Sequence, residues 1–183
     1  VRVPDEPSHF LKAVALCKGW KTTTVGQEDK NNFKTSGVLP LKLGEFSGAF
    51  RYLPFHSNVK VSTESRSLLK KLLVTKRNWA DEPLGSFENP IHTFYPVTGY
   101  LFSGLGVRLA LLLNQSEAWA FYFGRLLNLF VVTLSFIICF HLSKGVYRFI
   151  VLAVALLPMF LFEAVSFSPD AIQNCLSLYL ILF

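Results

Sequence analysis

Charge is what this sequence has little of. Only 16% of its 183 residues are Asp, Glu, Lys or Arg, against roughly 25% in a soluble domain. The shortage is uneven: residues 1–96 hold 14 Lys/Arg and 9 Asp/Glu, and residues 97–183 hold only 4 and 3. Cysteine is scarce as well. Cys17, Cys139 and Cys175 are far apart with no C-x-x-C pair, so neither a zinc site nor a disulfide framework is expected. No G-x-S-x-G, P-loop, H-E-x-x-H or G-x-G-x-x-G string occurs, which removes the commonest signatures of hydrolases, nucleotide binders and zinc proteases. The net charge of +6 resides mainly in the first half. No Lys/Arg stripe with interleaved aromatics accompanies it, so no nucleic acid partner is expected; anionic lipid or phosphate suits this charge better.

What is abundant is apolar surface: 51% of residues are hydrophobic and 15% aromatic, with a mean hydropathy of +0.40. The expected fold class is mainly α, a multi-span helical membrane protein fragment with a long extracytoplasmic loop region. Position 1 is Val, no signal peptide is present and the chain stops within an apolar run, so a piece of a longer protein is expected.

The expected organisation has three parts. Residues 1–96 form the polar loop region, 97–119 a juxtamembrane helix, and 120–183 the membrane helices. In the first part, residues 6–18 read as a helix, with Asp5 to cap it, Pro7 in its first turn, Phe10, Ala13, Val14 and Cys17 at helical spacing, and Gly19 to stop it. Residues 20–62 read as irregular polar loop with room for short strands. In 64–75, Leu68, Leu69, Leu72 and Leu73 face one way and Lys70 and Lys71 the other. Such a helix suits either an anionic membrane surface or its own domain. Residues 97–113 read as a helix broken up by Gly99, Gly104, Gly106 and Arg108. Three spans are expected. The first, 120–142, would extend about 34 Å; the second, 149–165, about 26 Å with a kink at Pro158; the third, 171–183, is cut short. Lys144 and Arg148 in the loop between the first two place that loop in the cytoplasm, and hence residues 1–96 and Asp170 outside, provided 97–113 does not cross.

Candidate chemistry starts at Val3-Pro4-Asp5-Glu6-Pro7-Ser8-His9-Phe10. Asp5 and Glu6 complement a helix dipole; stiffened by Pro4 and Pro7 beside a membrane, they also suit a general base. His9 falls on the same helical face. With Asp5 and Glu6 it suits a divalent metal such as Mg or Mn, although one E-x-x-H unit is half of a dinuclear pattern, and a satisfied surface histidine is the other reading. In Ser166-Phe167-Ser168-Pro169-Asp170, Ser168 and Pro169 describe a helix start; Asp170 is also placed to share an outward cleft with Asp5. Glu163 lies in an apolar run, where an ionisable residue is costly and points to function unless it is interfacial. Arg125, early in its span, suits either a lipid-linked phosphate or snorkelling to headgroups. Asn114-Gln115-Ser116 matches a glycosylation sequon.

These strings carry a family resemblance. Pro4 to Phe10 resembles the start of the first outer loop in the predicted membrane proteins grouped as domain of unknown function 2142. Tyr95-Pro96 through Tyr100-Leu101 is similar to that family's approach to the membrane, Gly124-Arg125-Leu126-Leu127-Asn128 to its arginine-bearing entry into the next span, and Ser166 to Asp170 to its serine-aspartate turn. That family is similar in turn to GT-C glycosyltransferases, which take a sugar from a polyprenyl-phosphate carrier. The resemblance implies an incomplete GT-C-like core with Asp5 as base, Glu6 as its neighbour or substitute, Asp170 in the second outer turn and Arg125 near the donor phosphate. It implies a polyprenyl-phosphate-linked sugar, membrane lipids and a cell-envelope glycan or protein acceptor as partners. Two rivals stand beside this reading. A transporter or flippase for a lipid-linked or anionic solute would depend on Glu163 and Arg125. In a non-catalytic assembly protein Asp5, Asp170 and Arg125 would point in unrelated directions.

Overall fold

A computed structural model describes residues 6–17, 22–25, 34–49, 63–89 and 96–182. It opens with α1 (Glu6–Cys17), whose Phe10, Ala13, Val14 and Cys17 are buried, as their spacing predicts. Two strands follow, β1 (Thr22–Val25) and β2 (Lys34–Pro40), then α2 (Leu41–Ala49), α3 (Thr63–Val74) and β3 (Leu84–Asn89). The strands form one antiparallel sheet in the order β1-β2-β3, with Thr22 opposite Gly37 and Pro40 opposite Leu84.

The described part of this region holds more regular structure than its composition suggests; the rest of the expected 20–62 loop, Leu53-Pro54 included, lies outside the described residues. α2 and β3 were not expected from the sequence. The Leu39-Pro40 break does not end the structure; Pro40 closes β2 at its last pairing, and α2 starts at the next residue. Leu41 N donates to Pro83 O at 2.9 Å, tying α2 to the approach to β3. Of the two readings of the 64–75 helix, the second applies: Leu69, Leu72 and Leu73 pack against the protein's own core.

The apolar half starts with a 3-10 turn (Val97–Tyr100) running into α4 (Leu101–Leu112), then α5 (Glu117–Leu142), α6 (Val146–Ala155), α7 (Pro158–Ala164) and α8 (Asp170–Leu182). Of the residues expected to break up 97–113, Gly99 lies in the 3-10 turn ahead of α4, while Gly104, Gly106 and Arg108 do not interrupt the helix. α4 is continuous, and Gly106 serves a close approach: a Cβ there would fall on the backbone of Phe123 and Gly124 in α5. The two helices form a tight antiparallel hairpin whose turn puts Asn114 at φ +52, a left-handed conformation that Asn tolerates better than most side chains. Ser116 caps α5 by accepting from Trp119 N, a common device for satisfying first-turn amides.

α5 is the one described helix long and apolar enough to cross a membrane, with a mean hydropathy of 2.0 in its most apolar window. The expected 149–165 span is divided at Leu156–Leu157 into α6 and α7, bent by 64°, and counts as a second span only if the bent pair is taken together. Pro158 sits at the first position of α7, where its missing N–H costs nothing and its ring blocks continuation from α6. α8 has 13 residues, about 20 Å at helical rise, short of a hydrocarbon core of about 30 Å.

Two apolar cores result. The first joins α1, α2, α4 and the start of α5; Phe10 lies at its centre, edge-on to Phe46, Phe121 and Phe167 at 6.2, 5.3 and 5.2 Å. The second lies among α5, α6, α7 and α8, where Phe136 and Phe160 meet edge-to-face at 4.7 Å.

Candidate functional site

The site is built where α1 begins. The first turn of α1 directs Glu6 at α5, and Arg125 meets it with a two-pronged contact: Nε donates to Oε1 at 2.7 Å and Nη2 to Oε2 at 2.5 Å. Phe167 N donates to the same Oε1 at 3.3 Å. Glu6 is only 5% exposed. Burial pushes its carboxyl above the usual range, while the Arg125 guanidinium and the Phe167 amide pull the other way. The guanidinium also lies 4.7 Å over the Phe121 ring, a cation–π placement. Two charges costly to bury alone are thus held as a neutral unit with parallel hydrogen bonds.

One turn along α1, His9 is buried rather than on the surface, and its Nδ1 lies 2.6 Å from Tyr100 Oη. Lys12 Nζ lies 5.0 Å over the same tyrosine ring. The Ser166–Asp170 turn is clamped from below by Asn128, whose Nδ2 donates to Ser166 O at 2.9 Å and to Ala164 O at 3.4 Å. The Phe167 ring lies against Gly124 so closely that a Cβ there would overlap it, and Pro169 presses on Gly99 in the same way. Ser168 Oγ accepts from Asp170 N at 3.2 Å and donates to Asp170 Oδ2 at 3.0 Å. The helix-start reading of this turn therefore holds. Glu163, on α7, accepts from Asn174 Nδ2 at 3.1 Å.

All four strings that carry the family resemblance therefore meet at one junction. Pro4–Phe10 contributes Glu6, His9 and Phe10; Tyr95–Leu101 contributes Gly99 and Tyr100; Gly124–Asn128 contributes Gly124, Arg125 and Asn128; Ser166–Asp170 contributes Phe167 and Pro169. Asp5, the expected base, lies outside the described residues, as does Gly19. Glu6 faces Arg125, so its oxygens are engaged within the protein. Arg125 Nε and Nη2 are directed at a carboxylate, not outward to headgroups. Among the described residues no three His, Cys, Asp or Glu side chains converge as a metal site. Asn128 and Tyr100 stood in strings that carry the resemblance, but the sequence reading gave neither a role of its own. A lone Asn in the apolar stretch after Arg125 was the available signal for the first; nothing marked Tyr100 as the partner of His9.

What the fold and junction define is a mainly helical protein with a candidate membrane span and a polar region docked on its first turns by a buried ion pair. The family model described as "Predicted membrane protein (DUF2142)" matches residues 1–183, and the chain belongs to that family. No curated protein and no solved structure matches it.

Proposed function

We propose that this chain belongs to a membrane-embedded, inverting glycosyltransferase of GT-C type, working on the extracytoplasmic face with a polyprenyl-phosphate-linked sugar. The observation that supports it best is the convergence of the acidic first-loop string, the arginine string and the second outer turn on a single junction.

Asp5 is the proposed general base. It takes the proton of an acceptor hydroxyl as the hydroxyl oxygen attacks the anomeric carbon from the face opposite the phosphate. The bond from that carbon to the phosphate oxygen breaks, its electron pair leaves with the polyprenyl phosphate, and the anomeric configuration inverts. Glu6 and Arg125 serve as positioning residues in this scheme: their buried pair fixes the chain next to Asp5 on α5 and against the Phe167 amide. A donor phosphate bound by Arg125 would have to compete with Glu6 for the same N–H groups. Among the described residues no three His, Cys, Asp or Glu side chains converge, and Asp5 lies outside them, so the scheme is written without a metal.

The test is transfer by the membrane-inserted protein in liposomes, offered polyprenyl-phosphate sugars and scored by mass spectrometry of the acceptor. Asp5→Asn should lower the rate by about 10²-fold or more, the usual weight of a general base. Full activity in that variant would end the assignment of Asp5.

A further inference from the structure

A second feature lies on the far side of α4 from α5. A cleft of about 840 Å³ opens between the C-terminal ends of α1 and α4 and the turn at residues 78–80, lined by Leu16, Trp79, Arg108, Leu111, Leu112 and Asn114 among others. Arg108 is exposed and has no hydrogen-bond or ion-pair partner among the described residues. At 100° per residue, Leu101, Leu105 and Leu112 all fall within about 60° of it around α4. These leucines are exposed by 51%, 45% and 70%. A single cation at the head of an apolar row is matched by an amphiphile with one anionic group, not by a free anion, which would leave the leucines in water.

The depth of the cleft fits the same ligand. Gly106 packs on the backbone of Phe123 and Gly124, so in the antiparallel hairpin Arg108 is level with Phe121 and Tyr122. Trp119 lies about one turn above, its Nε1 donating to Leu73 O at 2.8 Å. Trp79 lines the cleft, its Nε1 donating to Gln115 O at 2.6 Å. A partly exposed indole such as that of Trp119 suits the level where hydrocarbon gives way to headgroups; Trp79, 4% exposed, belongs to the core behind the cleft. Below that level α5 turns Leu126 and Phe130 outward, 58% and 62% exposed. Arg108 therefore stands at headgroup height, with Leu105 and Leu101 descending beside the apolar part of α5.

We infer that an anionic membrane phospholipid binds at the mouth of this cleft, its phosphate on Arg108 and an acyl chain running out of the cleft along the exposed Leu105 and Leu101 of the same α4 face. The seat is separate from the Glu6–Arg125 junction and does not depend on glycosyl transfer. The experiment is native mass spectrometry of the membrane-inserted protein released from nanodiscs of phosphatidylglycerol and phosphatidylcholine in equal parts. Wild type should retain phosphatidylglycerol in preference. Arg108→Gln should reduce that retention about fivefold, the weight of one basic residue at an anionic surface, while Arg108→Lys keeps most of it. Leu101→Ser with Leu105→Ser should lower retention of the bound lipid with Arg108 intact. Each variant's thermal melt would be compared with wild type, so that a folding defect is not read as lost binding. Equal retention of both lipids by wild type, undiminished phosphatidylglycerol on folded Arg108→Gln, or displacement by millimolar inorganic phosphate would overturn the assignment.

Discussion

Glu6 and Arg125 illustrate how little a single residue discloses without its partner. Each reads alone as a functional charge, one at a helix start and one at the head of a span. Their meeting at 2.5 and 2.7 Å in a buried setting gives both a structural task. Removing one partner of a buried pair strands the other charge in apolar surroundings, at a cost of about 3–5 kcal/mol. Arg125→Met should therefore destabilise the detergent-solubilised protein by about that much in a denaturant or thermal titration. Combining it with Glu6→Gln should restore part of the loss, because no lone charge remains. Additive losses from the two changes would show that the pair does not act as a unit. His9 follows the same logic: its spacing from Glu6 suggested a ligand face, and its Nδ1 is instead directed at Tyr100, 91 positions away.

At the scale of elements, α4 shows a sequence signal with two opposite meanings. Three glycines within 99–106 suggested a broken helix, because glycine lowers helix propensity. Packing reverses that reading, since Gly106 is where the α5 backbone fits. Gly106→Ala should cost about 1–3 kcal/mol through overpacking, measurable as a lower melting temperature; an unchanged melt would mean that the α4–α5 approach is looser than described. The α6–α7 break goes the other way. Pro158 was legible as a kink from the sequence, but the 64° bend depends on how Phe160 and Ala164 pack against α5 and α8. The sheet was the least legible element. β2 pairs with β3 across the intervening α2 and α3, and no local pattern in Leu84–Asn89 announces a partner so distant in sequence.

For the whole molecule, the sidedness proposed for the site follows from Lys144 in the α5–α6 turn and Arg148 in the first turn of α6. Arg148 Nε donates to Ser143 O at the end of α5, where a cation also suits the helix dipole, so local packing and topology both account for it. In intact cells, a membrane-impermeant maleimide should label Asn114→Cys at the α4–α5 turn and should reach Lys144→Cys only after permeabilisation. The reverse pattern would place the Glu6–Arg125 junction on the cytoplasmic side and rule out an outer-face transferase. Composition and periodicity alone were sufficient for the division of polar and apolar halves, for α1, α3 and α5, and for the start of α8, because each is a local pattern of burial or capping. Which of the four strings touch, that Glu6 answers Arg125, and that Asn128 holds the Ser166–Asp170 turn were decided only by the tertiary structure, because those contacts join residues 36 to 161 positions apart and no local propensity encodes them.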